Sequence, residues 1–354
     1  MSMFRASPRE VLAWLEQNDV EHVILRYGPR VLDTRVKDVD LLVDDRAITA
    51  LKAAFQNRKS GTKIDCYGIE GLYGSDYHGF PHLPEPLGRQ ILTRRRQVAG
   101  VWVPHPLDEM NGLLYHMAYH KSLQSGVHDS DPARSSSTPG TERLAVLQKE
   151  CGVTVTRSLE GFHRHLESCG LAVSEQRLGA YIEHDFRHGR KSLFHARLQD
   201  RHPGELNLFV IRGVAERHGK SDALIERLRE RYMIVSIKAI DWLTRLTRAN
   251  RMRGGKWRRG GRPRIAVVVF DPEPVPTTSD ERKIHPFVFN RNQFIKVELR
   301  DWFCRETKAR AKDNPIHSTD NEAEALGHLP LFFSPEERDQ IRRSLPTLRA
   351  GVSQ

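Results

Sequence analysis

The stretch Lys37-Asp38-Val39-Asp40-Leu41-Leu42-Val43 sets two carboxylates two residues apart inside an apolar run. In an extended strand alternate side chains share a face, so Asp38 and Asp40 project together while Val39, Leu41 and Val43 turn toward a core. Carboxylates held this close repel unless a cation lies between them, and Mg2+ prefers such oxygens completed by substrate phosphates. Asp65, expected at the end of the next strand in Ile64-Asp65-Cys66, offers a third. That set suits an in-line, two-metal transfer of a nucleotidyl group. The plain alternative is a solvated strand edge, since short D-x-D matches are common.

Further along, Asp76-Tyr77-His78-Gly79-Phe80-Pro81-His82-Leu83-Pro84 has rings for stacking and imidazoles for polar contact, the composition of an acceptor-binding loop or of an ordered structural one. His116 and His120 stand at i, i+4 in Leu113-Leu114-Tyr115-His116-Met117-Ala118-Tyr119-His120, a spacing that binds metal. No Glu follows His116 as in H-E-x-x-H, so packing or support of another group is the expectation. Near the other end, Asn314-Pro315-Ile316-His317-Ser318-Thr319-Asp320-Asn321 reads as a loop histidine before an Asp-capped helix. A neutral imidazole is a good nucleophile toward a γ-phosphate, and nearby guanidinium groups offset the charge on the phosphoryl oxygens.

Two resemblances follow from these strings. Asp38-x-Asp40, the apolar run after it and Asp65 resemble the polymerase-β-type nucleotidyltransferases over about the first 65–120 residues. The resemblance implies an α/β domain using nucleoside triphosphate and Mg2+, with Asp38, Asp40 and Asp65 as metal ligands. That family's phosphate-cradling Gly-Ser is replaced here by Leu25-Arg26-Tyr27-Gly28-Pro29, where Arg26 is the candidate phosphate contact. Residues 206–238 together with 314–337 resemble nucleoside diphosphate kinase. Matched residue by residue, His317 takes the phosphohistidine position, Asn314 the asparagine before it, Thr319 and Asp320 the Ser-Asp after it, and Phe333-Ser334-Pro335-Glu336-Glu337 the closing element. Arg212 stands for the family's lysine at the end of the first strand. Arg300, in Leu299-Arg300-Asp301-Trp302-Phe303, resembles the strand-entrance arginine that binds phosphate, and His328 occupies the place of the glutamate that orients the imidazole. The resemblance implies a ferredoxin-like α+β sandwich, ping-pong phosphoryl exchange and a homo-oligomer.

The elements that must position these groups are legible in outline. Helices are expected over 6–18, 46–57 and 107–123, with strands at Val23–Leu25, Val39–Val43 and up to Cys66. Residues 143–195 read as amphipathic helix, after a surface loop at 124–140. Strands then follow at Leu206–Ile211, Tyr232–Ile237 and Ile265–Phe270, with a helix over 219–231. The fold class is α+β: a nucleotidyltransferase-like domain over 1–140, a helical connector over 141–203 and a kinase-like domain over 204–345. Gly213 to Ser221 imitates a P-loop but has one residue too many between its glycines.

Composition narrows the classes. With 354 residues, 38% hydrophobic and 29% charged, the chain has apolar material for two cores, which excludes wholesale disorder. Four widely separated cysteines without C-x-x-C exclude a zinc knuckle and a disulfide framework. No apolar run is long enough to cross a bilayer, and the first residues lack a signal peptide's apolar core, so a cytoplasmic protein without membrane contact is expected. Of the net charge of +11, seven units fall in 251–264, Arg-Met-Arg-Gly-Gly-Lys-Trp-Arg-Arg-Gly-Gly-Arg-Pro-Arg, leaving +4 for the rest. That segment suits RNA contact, with Trp257 stacking on a base and arginines on phosphates. The leading reading is a two-domain nucleotide-handling transferase with an acceptor that is not specified. The alternatives are a nucleotide- or RNA-binding regulator without chemistry and a defence nucleotidyltransferase acting on tRNA.

Overall fold

Alternation of Val39, Leu41 and Val43 with Asp38, Asp40 and Leu42 calls for a strand with one fully apolar face, and the computed structural model builds it as such. It describes residues 2–26, 28–32, 36–58, 60–71, 75–190, 192–247, 260–310 and 313–351. The chain divides into two compact units, Met1–Tyr181 and Ile182–Gln354, each with its own four-stranded sheet. The segment 141–203 gives helices to both. Of the basic segment, 251–259 lie outside the described residues. Among the described residues no helix is long and apolar enough to cross a membrane.

In the first unit, β1 (Ser2–Ala6), β2 (His22–Ile24), β3 (Asp38–Val43) and β4 (Thr62–Tyr67) form a sheet in the order β1-β4-β3-β2. β3 and β4 are parallel, and the other neighbours are antiparallel. Helix α1 (Pro8–Gln17) precedes β2, and α2 (Ile48–Phe55) makes the crossover that a parallel pair requires. Val11, Leu15, Val39, Leu41, Val43, Leu51, Phe55, Ile64 and Cys66 pack as one core. The strand β1 is not anticipated from its sequence, and β4 continues to Tyr67, which places Asp65 inside the strand and not at its end. Then come α3 (Glu85–Thr93), the hairpin β5 (Arg96–Val98) and β6 (Val101–Val103), α4 (Pro106–Tyr115), α5 (Pro139–Cys151), α6 (Leu159–Ser168) and α7 (Glu175–Arg187). The expected helix 107–123 is regular only to Tyr115, and widens to a π-turn over His116–Lys121 before Ser122 at φ 47°. The stretch 124–140 is less of a surface loop than expected, because Val127, Asp129 and Ser135 are buried.

The second unit starts at Ile182, within α7, and continues with α8 (Leu193–Gln199). Its sheet contains β7 (Glu205–Arg212), β8 (Met233–Ala239), β9 (Pro263–Asp271) and β10 (Ile316–Ser318) in the order β10-β7-β9-β8, every pair antiparallel. Helices α9 (Gly213–Arg217) and α10 (Ser221–Arg229) join β7 to β8, and α11 (Trp242–Thr247) follows β8. Between β9 and β10 lie α12 (Ser279–Ile284) and α13 (Ile295–Thr307), and α14 (Glu322–Phe332) and α15 (Pro335–Ala350) close the chain. Each outer strand is reached by a helical crossover with another strand placed between, the split β-α-β pattern. Phe209, Ile211, Leu224, Leu228, Val267, Val269, Leu299, Phe303 and Ile316 make the core.

One end of this sheet is polar and buried. Glu205 pairs in register with Asp271, and burial pushes its carboxyl up to about 8, with Glu322 and Asp200 adding to the rise and Asn290 and Asn207 opposing it. Its folded pKa therefore exceeds the unfolded value of 4.5, so the stability it contributes is complete below 4.5 and is lost as pH rises through about 8. Glu205→Gln keeps the shape and removes the proton. It should abolish a stability loss of roughly 4–5 kcal/mol across that interval, at about 1.4 kcal/mol per pH unit. Melting temperatures measured from pH 5 to about 9 in both proteins test this, and parallel curves would contradict it.

Candidate functional site

Parallel pairing of β3 with β4 sets Asp40 opposite Asp65 and Asp38 opposite Lys63. Alternation then gathers Asp38, Asp40, Lys63, Asp65 and Tyr67 on the face opposite the core. Asp40 and Asp65 are 6% and 5% exposed, which is unusual for carboxylates and needs compensation. Each has its own cation: Arg26 Nη2 lies 2.6 Å from Asp40 Oδ2, and Lys63 Nζ lies 2.6 Å from Asp65 Oδ2. Tyr67 donates to Asp40 Oδ1 at 3.4 Å. Burial nevertheless raises the Asp40 carboxyl, assisted by the charges of Asp65 and Asp38 and opposed by Arg26. Asp65 Oδ1 is buried without a hydrogen-bond partner.

That orphaned oxygen is the observation on which a cation can be tested. Three carboxylates on one face, one carrying an unused buried oxygen, suit a hard, oxygen-seeking ion. Mg2+ fits there if Arg26 and Lys63 move off the carboxylates. Lys63 and Tyr67 were missed in the sequence, though period-2 alternation about Asp65 is the signal that finds them.

Arg26 also joins the carboxylates to a group of imidazoles. Its Nη1 lies 3.2 Å from His116 Nε2. His82 stacks on Tyr67 with ring centroids 3.9 Å apart, so the loop expected to bind an acceptor lies against this centre.

In the second unit, His317 lies on β10 opposite Val210 of β7, on a strand and not in a loop. Burial first, then Arg212, Lys296 and Arg300, bring its pKa down to about 3, while Glu324 acts in the other direction. The imidazole is thus neutral and nucleophilic at ordinary pH. Arg212 is 3% exposed, and burial and the charge of Arg300 lower it to about 10. Two guanidinium groups close enough to repel are stabilised by an anion between them.

The other expected residues are close by but differently employed. Arg300 is on helix α13 and not at a strand entrance, because Ile295, Leu299 and Phe303 recur at i, i+4 and i+8 and are buried. Its Nε and Nη2 donate to the carbonyl of Ile316 at 3.1 and 3.0 Å, bracing the strand that carries His317. Asn314 Oδ1 accepts from Ile316 N at 3.2 Å and shapes the turn into β10. Asn321, not Asp320, caps α14, accepting from Glu324 N at 2.9 Å. Asp320 instead pairs with Lys296 at 3.1 Å. The carboxylate acting on His317 is Glu324, one helical turn before His328, whose Nε2 lies 3.6 Å from it. Lys296 and Glu324 were both missed: Lys296 has no local signal, and Glu324 needed only the helix register from the cap.

The described end of the basic segment folds onto this unit. Gly260 O accepts from Val214 N at 2.8 Å, Arg262 O from Gly213 N at 3.0 Å, and Arg264 pairs with Glu216 at 2.9 Å.

No protein-family model matches the chain, and no curated protein matches it. Among solved structures, an orthorhombic crystal form of the Aquifex aeolicus nucleoside diphosphate kinase is similar at 18% identity, covering 38% of this chain and 98% of that one with a TM-score of 0.24. A likeness at that score assigns neither fold family nor activity.

Proposed function

We propose that this chain is a nucleotide-handling transferase in which the second unit passes a phosphoryl group through His317. The observation that carries this reading is a half-buried, neutral histidine with three cations, Arg212, Lys296 and Arg300, acting on it. A phosphoryl acceptor needs a free imidazole lone pair and positive charge for the transferring oxygens. In the proposed exchange His317 attacks the terminal phosphorus of a nucleoside triphosphate and the diphosphate leaves. A second nucleoside diphosphate then takes the group back. Arg212 faces the transferring oxygens, while Arg300 holds β10 and Glu324 offsets charge on the phosphorylated ring. This is the kinase-like chemistry that the Asn314-x-x-His317 string resembles.

For the first unit the proposal is nucleotidyl transfer at Asp38, Asp40 and Asp65. Held by these three carboxylates, Mg2+ would neutralise charge on the transferring phosphates. Arg26 and Lys63 bind and orient the triphosphate, and Tyr67 holds Asp40. With α-labelled ATP and Mg2+, label transfer is expected and should fall at least about a hundredfold in Asp65→Asn, the scale of losing one preorganised charge-stabilising group. Transfer undiminished in Asp65→Asn would overturn the assignment.

One observation favours a second reading for this unit. Arg26 and Lys63 already neutralise Asp40 and Asp65, the arrangement of a protein that binds phosphates without turning them over. Calorimetry separates the two: ATP binding that is equal with Mg2+ and with EDTA, and no label transfer, is the signature of binding alone.

A further inference from the structure

Three histidines of the first unit meet where the sequence showed only two. His116 and His120 come from the π-turn that ends α4, and His82 from the loop before α3. One ring nitrogen from each lies within 4.8 Å of the other two, and His116 Nδ1 and His120 Nδ1 are 3.3 Å apart. Ligand nitrogens about 2.0–2.1 Å from a tetrahedral zinc stand roughly 3.3–3.4 Å apart, so this pair already spans one edge of such a site. His82 is 3% exposed and its Nδ1 is buried with no hydrogen-bond partner. A buried nitrogen left unsatisfied is costly unless a ligand takes it.

We propose that His82, His116 and His120 form a binding site for a borderline-soft divalent metal of the zinc class, separate from the carboxylates of Asp38, Asp40 and Asp65. Three imidazoles without a carboxylate disfavour Mg2+ and suit zinc or cobalt. Burial holds all three rings well below the usual imidazole range, so their lone pairs are available at neutral pH. His120 Nε2 lies 3.3 Å from Tyr181 Oη, the outer-shell hydrogen bond that orients a metal-bound imidazole. Sliding of His82 along its stack with Tyr67 brings the third nitrogen in. A three-histidine set leaves a fourth position for solvent or a substrate atom.

Arg26 makes the site conditional. A guanidinium only donates, so its contact with His116 Nε2 fixes the proton of the neutral ring on Nδ1, directed at His120. A metal at Nδ1 moves that proton to Nε2, against Arg26. A metal at Nε2 replaces Arg26 directly. In either case metal binding requires Arg26 to leave His116, and it keeps Asp40 through Nη2.

The test uses the full chain stripped with a chelator and titrated with Co2+ and Zn2+ in excess Mg2+. One equivalent of Co2+ should give the intense visible bands of four-coordinate cobalt, displaced by Zn2+. His82→Gln and His120→Gln should each weaken binding by more than the ~10–100-fold that an outer-shell loss costs. Arg26→Met should tighten it. Absence of the bands, or bands that survive both glutamine substitutions, overturns the proposal. Should a glutamine variant fail to fold, the unsubstituted chain decides: Zn2+ must raise its melting temperature, Arg26→Met must enlarge the rise, and failure of either overturns it. None of these readouts depends on phosphoryl or nucleotidyl transfer.

Discussion

Incubated with γ-labelled ATP, the unsubstituted chain is expected to take up an acid-labile phosphate, and His317→Ala to reduce that label to background. The loss should be complete, because a covalent acceptor cannot be replaced by a neighbouring charge. Its pH dependence is equally specific. With a pKa of about 3, set by burial and then by Arg212, Lys296 and Arg300, the imidazole stays neutral through the range in which an ordinary histidine titrates. Uptake should therefore show no histidine limb between about pH 5 and 7.5. Arg212→Ala removes the largest of these charges and should restore part of that limb while slowing uptake. Label retained in His317→Ala, or a limb near 6.5 in the unsubstituted chain, would sink the phosphohistidine reading.

Gly260→Ala should disable the same site without replacing any group that meets phosphate. A Cβ at Gly260 would stand 1.9 Å from the carbonyl oxygen of Asn314 and 3.1 Å from Cδ of Arg212. The nearer atom is backbone, so it cannot swing aside as a side-chain end does. The chain before β10 must move away from β7, against the bond from Arg212 N to Pro315 O at 2.8 Å. A misplacement of about 1 Å costs on the order of a hundredfold in rate, and overpacking of this kind costs about 1–3 kcal/mol. Phosphate uptake and melting temperature should both fall. Gly88→Ala, whose nearest neighbour atom is 3.6 Å away, should leave uptake unchanged. Full activity in Gly260→Ala would show that Asn314 and Arg212 need not be held together.

The parts of this molecule that could be read in advance are those written in short periods. Val39, Leu41 and Val43 alternate and announce β3 with its outward carboxylates, and Leu206–Ile211 announces β7. What escaped depends on partners distant in sequence. Nothing near Ser2–Ala6 signals a strand, because β1 exists through its pairing with Thr62–Cys66. Arg300 was placed at a strand entrance because its neighbours resemble one, but the spacing of Ile295, Leu299 and Phe303 is helical and prevails. The pair His116 and His120 was visible, whereas His82 was only one ring in an aromatic loop until folding brought it to them. Lys296 reaches His317 across 21 positions of sequence, a relation no local pattern encodes.

The strand β10 contributes three residues to the sheet, and its partner β7 ends about a hundred residues earlier. On a ribosome making roughly 5–20 residues per second, Arg212 emerges some 5–20 s before His317. During that interval β7, destined to be buried along its whole length, keeps the edge that β10 will cover open, and a nascent chain in this state is a template for wrong pairing. His317, the proposed phosphoryl acceptor, is therefore synthesised late in the second unit. A chain released before Ile316 would keep Arg212 and the first three strands of the sheet, yet lack His317 altogether.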